Sequence, residues 1–331
     1  MYAPADPLNH LPEALRELAA QRWVQFQEAA QAAGVSPPSH PELLTVLHRV
    51  WVCSDFVAQS CIQDPQLLHE LLRSGDLLRE YPAQEYERCL RVVLKAAHDE
   101  TALAEALRCF RRREMVRIAW RDTAGWAPLA EVLCDLSALA EACVDAAVQR
   151  LHVWQMQEHG TPRDVDGAAQ SMVVMAMGKL GGAELNFSSD IDLIFAYPAE
   201  GETRGKRRRI SNEEYFLRLG QRLINILDAV TPQGFVFRVD VRLRPFGDSG
   251  SLSASFAALE EYYQVHGREW ERYAWIKARV VGGDRVAGAQ LLEILHPFVY
   301  RRYLDFGVFE SLRDMKRMIG EETARRSSRD N

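Results

Sequence analysis

A glycine-rich turn set between two apolar runs constrains this chain more than any other feature. The run Val173 to Met177 leads into Gly178-Lys179-Leu180-Gly181-Gly182, and eleven residues separate Gly178 from Asp190. Asp190 and Asp192 then open the second apolar run, which continues to Tyr197. If 190–197 is a strand, residues i and i+2 share a face, so the two aspartates point the same way and Ile191 the other. Two carboxylates so placed repel by roughly 4 kcal/mol at ~4 Å and an effective dielectric of about 20. A cation offsets that repulsion. Hard oxygen ligands beside a turn able to cradle phosphate point to magnesium and a nucleotide.

A third acid lies downstream. In Phe237-Arg238-Val239-Asp240-Val241-Arg242-Leu243 the odd positions are apolar, and Arg238, Asp240 and Arg242 share the other face. That period of two predicts a half-buried strand, here drawn over Phe235 to Leu243. Three aspartates on neighbouring strands can hold two metal ions that clamp the entering and leaving oxygens of an in-line displacement. Arginines can grip phosphate oxygens in bidentate fashion. Taken singly, Asp-x-Asp also fits a solvated strand end, and Asp240 between arginines fits a surface ion-pair ladder. The order of turn, paired acids and third acid is what points to catalysis.

The pattern resembles the nucleotidyltransferase superfamily that includes DNA polymerase beta. Longer stretches resemble the bacterial glutamine synthetase adenylyltransferase/adenylyl-removing enzyme family: Met177 to Gly182, Glu184 to Phe195, and Phe235 to Ser249 (FVFRVDVRLRPFGDS). Arg111 to Asp122 (RRREMVRIAWRD) and Arg268 to Arg279 (REWERYAWIKAR) extend the likeness, which runs from about residue 40 to the end. Asn186-Phe187-Ser188-Ser189 and Phe246-Gly247-Asp248-Ser249 resemble the first of that family's two catalytic domains. The resemblance implies adenylyl removal, in which phosphate attacks the AMP on a glutamine synthetase tyrosine to give ADP. It implies a mostly helical α+β chain with a small mixed sheet as nucleotidyltransferase core. It also implies a fragment, because in that family further helices, a regulatory region and a second catalytic domain follow.

On this reading Asp190, Asp192 and Asp240 are the catalytic acids and magnesium ligands, with two ions expected. Amides of Gly178, Lys179, Gly181 and Gly182 and the Ser189 hydroxyl hold phosphate oxygens, and Lys179, Arg242 and Arg244 neutralise the transferring group. The expected partners are adenylylated glutamine synthetase, phosphate, ADP or ATP, and the PII signal protein through regions beyond this chain. Two rivals stand beside it: adenylylation of the same tyrosine from ATP, and a non-catalytic docking module for glutamine synthetase or PII.

The rest of the chain sets bounds. Net charge is −6, which argues against a nucleic-acid coat or a membrane-surface binder. Basic and aromatic residues do not interleave as they do on nucleic-acid platforms. The six cysteines form no C-x-x-C pair and read as buried reduced thiols of a cytoplasmic protein. The N-terminus carries no basic and apolar leader, and no run of ~18 apolar residues occurs.

Three regions are expected: a helical domain over 1–160, the catalytic core over 161–283, and the start of a further helical region over 284–331. The first carries stripes at helical spacing from Glu42 to Cys61, Tyr86 to Ala97 and Leu129 to Trp154, with breaks at Gly34 to Pro38, Tyr81-Pro82 and Gly125. Arg111 to Arg113 reads as a solvated or ion-paired helix face, and His159 to Pro162 as a linker. In the core, Met172 to Met177 is a strand and Glu200 to Arg209 a charged, solvated loop. Ser211 to Glu214 is a capping box opening a helix to about Val230. Helices are expected over Phe256 to Val265, Glu269 to Val280 and from Ala287 onward, with Trp270, Tyr273 and Trp275 in the core.

Overall fold

The computed structural model describes Leu8, residues 11–39 and 41–300, and Glu310, Arg313, Lys316, Arg317, Gly320 and Glu321. The expected helical region therefore lies largely outside the described residues after position 300. The chain is a mostly helical α+β protein that divides into two compact units. One comprises 1–143, 183–188 and 229–236; the other comprises 144–182, 189–228 and 237–331.

The first unit is helical. Its elements are α1 (Glu13–Ala32), α2 (Pro41–Cys53), α3 (Asp55–Gln63), α4 (Pro65–Arg73), α5 (Glu85–Val93) and α6 (Glu100–Ala124), followed by the start of α7 (Leu129–His159). The stripe expected from Glu42 to Cys61 is two helices, because Ser54 interrupts it and its hydroxyl accepts from Val57 N at 3.3 Å as the cap of α3. Asp99 caps α6 by accepting from Ala102 N at 2.8 Å, and Gly125, at φ +74°, ends it. Phe26, Leu43, Leu47, Trp51, Leu68, Leu71 and Trp120 are fully buried and form the core. Each such side chain contributes about 1.5–3 kcal/mol of burial. Of the cysteines, Cys61 and Cys143 are buried, and burial pushes the Cys143 thiol up to about 12. Cys53, Cys109 and Cys134 are exposed, contrary to the expectation of buried thiols, because they fall on the solvent stripes of their helices.

Four arginines of α6, Arg112, Arg113, Arg117 and Arg121, are ion-paired. Arg112 meets Asp64 at 3.0 Å, and Arg121 meets Glu131 at 2.7 Å. Arg117 is wholly buried: Nη1 donates to Asp135 at 2.8 Å, Nε and Nη2 to the Asp76 and Arg79 carbonyls, and the guanidinium lies 3.5 Å from the Tyr81 ring centroid. A charge whose three nitrogens all find acceptors tolerates burial; one left unpaired does not.

The second unit holds two sheets. β1 (Thr161–Asp164) pairs antiparallel with β4 (Gly201–Arg204). This replaces both the expected linker and half of the expected loop, and only the tip, Gly205 to Arg209, is a charged exposed turn. The main sheet runs β5 (Val239–Asp240), β3 (Ile191–Tyr197), β2 (Val173–Ala176), β7 (Arg279–Gly283), with β6 (Ser253–Ser255) also on β3. β2 is antiparallel to β3 and β7, while β5 and β6 run parallel to β3, so the sheet is mixed. The helix expected over Glu269 to Val280 is shorter, and its last two residues, Arg279 and Val280, open β7 instead. The preceding helix stops at Ile276, and Val280-Val281-Gly282-Gly283 turns into the sheet edge, where a Cβ on Gly283 would collide with the Met172 carbonyl.

Between β2 and β3 lies the short helix α8 (Gly178–Gly181). The other helices of this unit are α9 (Asn212–Asp228), α10 (Phe256–Val265), α11 (Glu269–Ile276) and α12 (Arg285–Val299). The Ser211 hydroxyl accepts from Glu214 N at 3.1 Å, as the capping box predicts. α10 and α12 cover one face of the sheet through Leu259, Tyr263, Leu291 and Leu295. Trp275 is in that core and Tyr273 is half-buried, but Trp270 is 38% exposed, on the outer side of α11.

Candidate active site

The site lies within the second unit and starts from a backbone lock. Met177 N donates to the Asp192 carbonyl at 2.9 Å, which fixes the end of β2 against the start of β3. The glycine turn follows as one turn of helix, α8. Gly178 has φ +56°, and a Cβ there would sit 2.6 Å from Asp192 Oδ2. Glycine is therefore required both by the backbone and by the carboxylate lying against it. Gly181 is needed for a different reason: a Cβ would collide with the Lys277 carbonyl.

The first amides of a helical turn have no carbonyl behind them, so the Gly178 and Lys179 amides could face a ligand. The amides of Gly181 and Gly182 are not available in that way. They donate to Met177 O at 2.9 Å and Gly178 O at 3.1 Å, so their part in the site is to shape the turn. Lys179 Nζ reaches the Ser189 hydroxyl at 3.1 Å, which brings two of the sequence-predicted phosphate groups together.

Asp190 lies just before β3, Asp192 on it, and Asp240 on β5. The third strand is two residues long rather than the nine expected. Val241 O accepts from Arg244 N at 3.3 Å, turning the chain ahead of Pro245 and ending the pairing. What remains suffices to set the register: Ile191 opposes Val239 and Asp192 opposes Asp240 in parallel. Ile191 N donates to Arg238 O at 2.9 Å, and Val239 N to Asp228 Oδ1 at 3.1 Å, which ties β5 to the end of α9.

The three acids sit in unlike surroundings. Burial raises the Asp192 carboxyl above the usual carboxylate range, and the charges of Asp240 and Asp190 raise it further. Asp240 moves the other way. Its hydrogen bonds with the Arg242 side chain, Nε at 2.9 Å from Oδ2 among them, hold it low, and Arg242 N adds a backbone bond at 2.8 Å. Asp190 accepts from Arg238 Nε at 2.6 Å. Neighbouring carboxyls pushed in opposite directions mark a place where charge is handled. Among the described residues no three His, Cys, Asp or Glu side chains converge as a finished ligand cluster, since Asp190 and Asp240 are drawn to their arginines. The donor set itself is all carboxylate oxygen around a destabilised anion, which fits a hard divalent cation such as magnesium and not a soft one.

Arg242 is exposed, with its guanidinium on Asp240. Arg244 is not so placed. Its Nη1 donates to Val241 O at 2.8 Å and its Nε to Gly250 O at 3.3 Å, so it braces the loop after β5. Two residues escaped the sequence reading. Arg238 is the counter-ion of Asp190; its place on the Asp240 face was the signal. Arg279 closes the glycine turn, with Nη2 on Leu180 O at 3.1 Å and Nε on Gly181 O at 3.3 Å. Its only sequence signal is its place at the end of the REWERYAWIKAR stretch.

Residues 44–294 match the sequence pattern of the family described as "Glutamate-ammonia ligase adenylyltransferase". The chain is 54% identical over 325 residues to the bifunctional glutamine synthetase adenylyltransferase/adenylyl-removing enzyme of Nitrosococcus oceani, covering 98% of this chain and 34% of that protein. It is 54% identical to the protein of the same name from Thioalkalivibrio sulfidiphilus, covering 99% and 33%. The Pseudomonas aeruginosa protein of that name is 51% identical, covering 98% and 33%. The chain thus spans about a third of the length of the curated relatives it matches. No helix among the described residues is long and apolar enough to cross a membrane. With the family pattern over residues 44–294 and relatives more than half identical over nearly all of its length, the chain belongs to the glutamate-ammonia ligase adenylyltransferase family.

Proposed function

We propose that this chain is the adenylyl-removing part of a bifunctional glutamine synthetase adenylyltransferase/adenylyl-removing enzyme, acting in the cytoplasm. The observation that carries the reading is the Asp192–Asp240 register pair set against the Gly178 turn. In the reaction an oxygen of inorganic phosphate attacks the phosphorus of the adenylyl group on a glutamine synthetase tyrosine. The bond from phosphorus to the tyrosyl oxygen breaks, the new phosphoanhydride makes ADP, and the tyrosyl oxygen takes up a proton.

Asp190, Asp192 and Asp240 are the residues that would hold magnesium, as one ion or two. Bound magnesium would neutralise the phosphate oxygens and the oxygen that leaves. The chain's own groups do the rest. Gly178 and Lys179 offer amides, and Lys179 and Ser189 a charge and a hydroxyl, to the adenylyl phosphate. Arg242 swings from Asp240 to the incoming phosphate, holding two of its oxygens at once and setting it in line for attack. Arg238 keeps Asp190 oriented. ADP and ATP are the nucleotides that such a site accommodates, and PII would act through parts of the protein outside this chain.

The test is release of ADP from adenylylated glutamine synthetase in the presence of magnesium. ADP should appear only when phosphate is supplied. AMP release without phosphate, or no release at all, contradicts the reading.

A further inference from the structure

The loop that leaves β5 carries a feature that neither the acids nor the arginines explain. Phe246 has φ +59° and ψ +11°, the left-handed region, where a bulky aromatic residue is strained. Its ring is nevertheless not used as core, since the residue is 59% exposed. Such strain persists only where the surroundings impose it, and it gathers at ligand sites. Here the surroundings do impose it. Arg244 O accepts from Gly247 N at 2.9 Å, the Ser249 hydroxyl donates to Phe246 O at 2.8 Å, and Gly250 packs so closely on Pro245 that a Cβ would strike the Pro245 carbonyl. On the other side the ring meets Tyr262, centroids 4.7 Å apart at 70°, and His266 at 5.6 Å. Tyr262 is itself fixed by donating to Glu271 at 2.8 Å.

The ring is also carried on the loop that follows the third acid. Five residues of chain lie between Asp240 and Phe246, and two successive turns, Val241 to Arg244 and Arg244 to Gly247, fold them back. A Cβ on Gly247 would sit 3.7 Å from the Arg242 carbonyl. An aromatic ring braced by two other rings, largely exposed and carried on the folded loop that leaves the Asp240 strand has the form of a stacking platform.

We infer that Phe246 is a binding residue for the purine base of the adenylyl group, stacking on it while the phosphate lies at the aspartates. The inference rests on the function proposed above and adds the base subsite to it. Stacking of this kind resists alanine substitution by about a factor of ten in affinity or more.

Binding measured by calorimetry on the whole chain with magnesium separates the outcomes, using ADP and inorganic phosphate as probes. Phe246→Ala should weaken ADP about tenfold and leave phosphate unchanged, and Phe246→Trp should restore ADP affinity. Phe246→Gly relieves the backbone strain, so it should melt no lower than the unaltered chain while still losing ADP affinity. Unchanged ADP affinity in Phe246→Ala overturns the platform alone. A lower melting temperature for Phe246→Gly with ADP affinity retained makes the ring a structural prop and likewise overturns it. Failure of the unaltered chain to bind ADP at all overturns the proposed function, and the platform with it.

Discussion

Two arginine-rich surfaces teach opposite lessons. On α6, Arg117 and Arg121 are buried, and each meets an acid and backbone carbonyls at good distances. On the face of β5, Arg238 and Arg242 are 53% and 71% exposed, and the acids beside them are crowded. The first arrangement is closed: its charges are mutually satisfied and it serves the fold. The second is open: its acids repel, Asp192 is lifted out of the usual carboxylate range, and its arginines can change partners. Charge that holds a fold together and charge kept ready for a ligand are told apart by burial and completeness of pairing, not by composition.

The largest expected effect tests the open face. Asp192→Asn should lower turnover by at least a thousandfold, with circular dichroism unchanged. It should also melt slightly higher in metal-free buffer, because it removes the anion that burial and two acids disfavour. Near-normal turnover would erase the distinction between the two surfaces.

Next comes the closed surface. Arg117→Ala leaves Asp135 buried without its partner and should cost about 3–5 kcal/mol of stability, read as a drop in denaturation midpoint. A loss below about 1 kcal/mol would mean that the network is ornamental. Gly178→Ala probes the join of turn and acid. With φ positive and Asp192 Oδ2 in the way, it should cost about 1–3 kcal/mol and most of the activity.

The pH response should separate the surfaces further. Desolvation opposes the shifts of Asp76, but its hydrogen bonds with Ser74, Arg113 and Arg79 win and bring it to about 2. Arg88 and Arg79 hold Glu85 at about 2. Carboxyls held low in the fold stabilise it above their unfolded values, and that contribution is lost as pH falls through the range from about 4 to about 2. Asp192 has the opposite sign: its protonation favours the fold as pH falls. Acid unfolding should therefore begin in the helical unit, seen as loss of Trp51 and Trp120 fluorescence before the sheet's amide protons exchange. The smallest expected difference concerns two exposed arginines: Arg242→Ala should slow turnover more than Arg208→Ala, and equal losses would move the substrate contact to the charged tip.

The parts of this molecule that local chemistry dictates were legible in the sequence. The helix over Phe256–Val265, the cap at Ser211, and the turn and first acids between 178 and 192 all follow from residue spacing. Pairings set by distant partners were not legible. β1 contains Pro162 and shows no alternation, so only its partner β4 makes it a strand. β7 continues a run with helical composition and becomes a strand because β2 has an open edge there. At the site, Arg242 and Arg244 look equivalent in sequence, yet one is exposed beside Asp240 and the other is spent on loop carbonyls. Arg279 is distant in sequence from the carbonyls it closes, and nothing local announces it.

The central claim is that the open acid face transfers the adenylyl group to free phosphate. Labelled inorganic phosphate, magnesium and adenylylated glutamine synthetase incubated with this chain test it directly. The label should appear in ADP at the rate at which the tyrosine is unmasked. If label never enters ADP, and labelled AMP instead passes from ATP to unmodified glutamine synthetase, the face works in the opposite direction and the account is wrong.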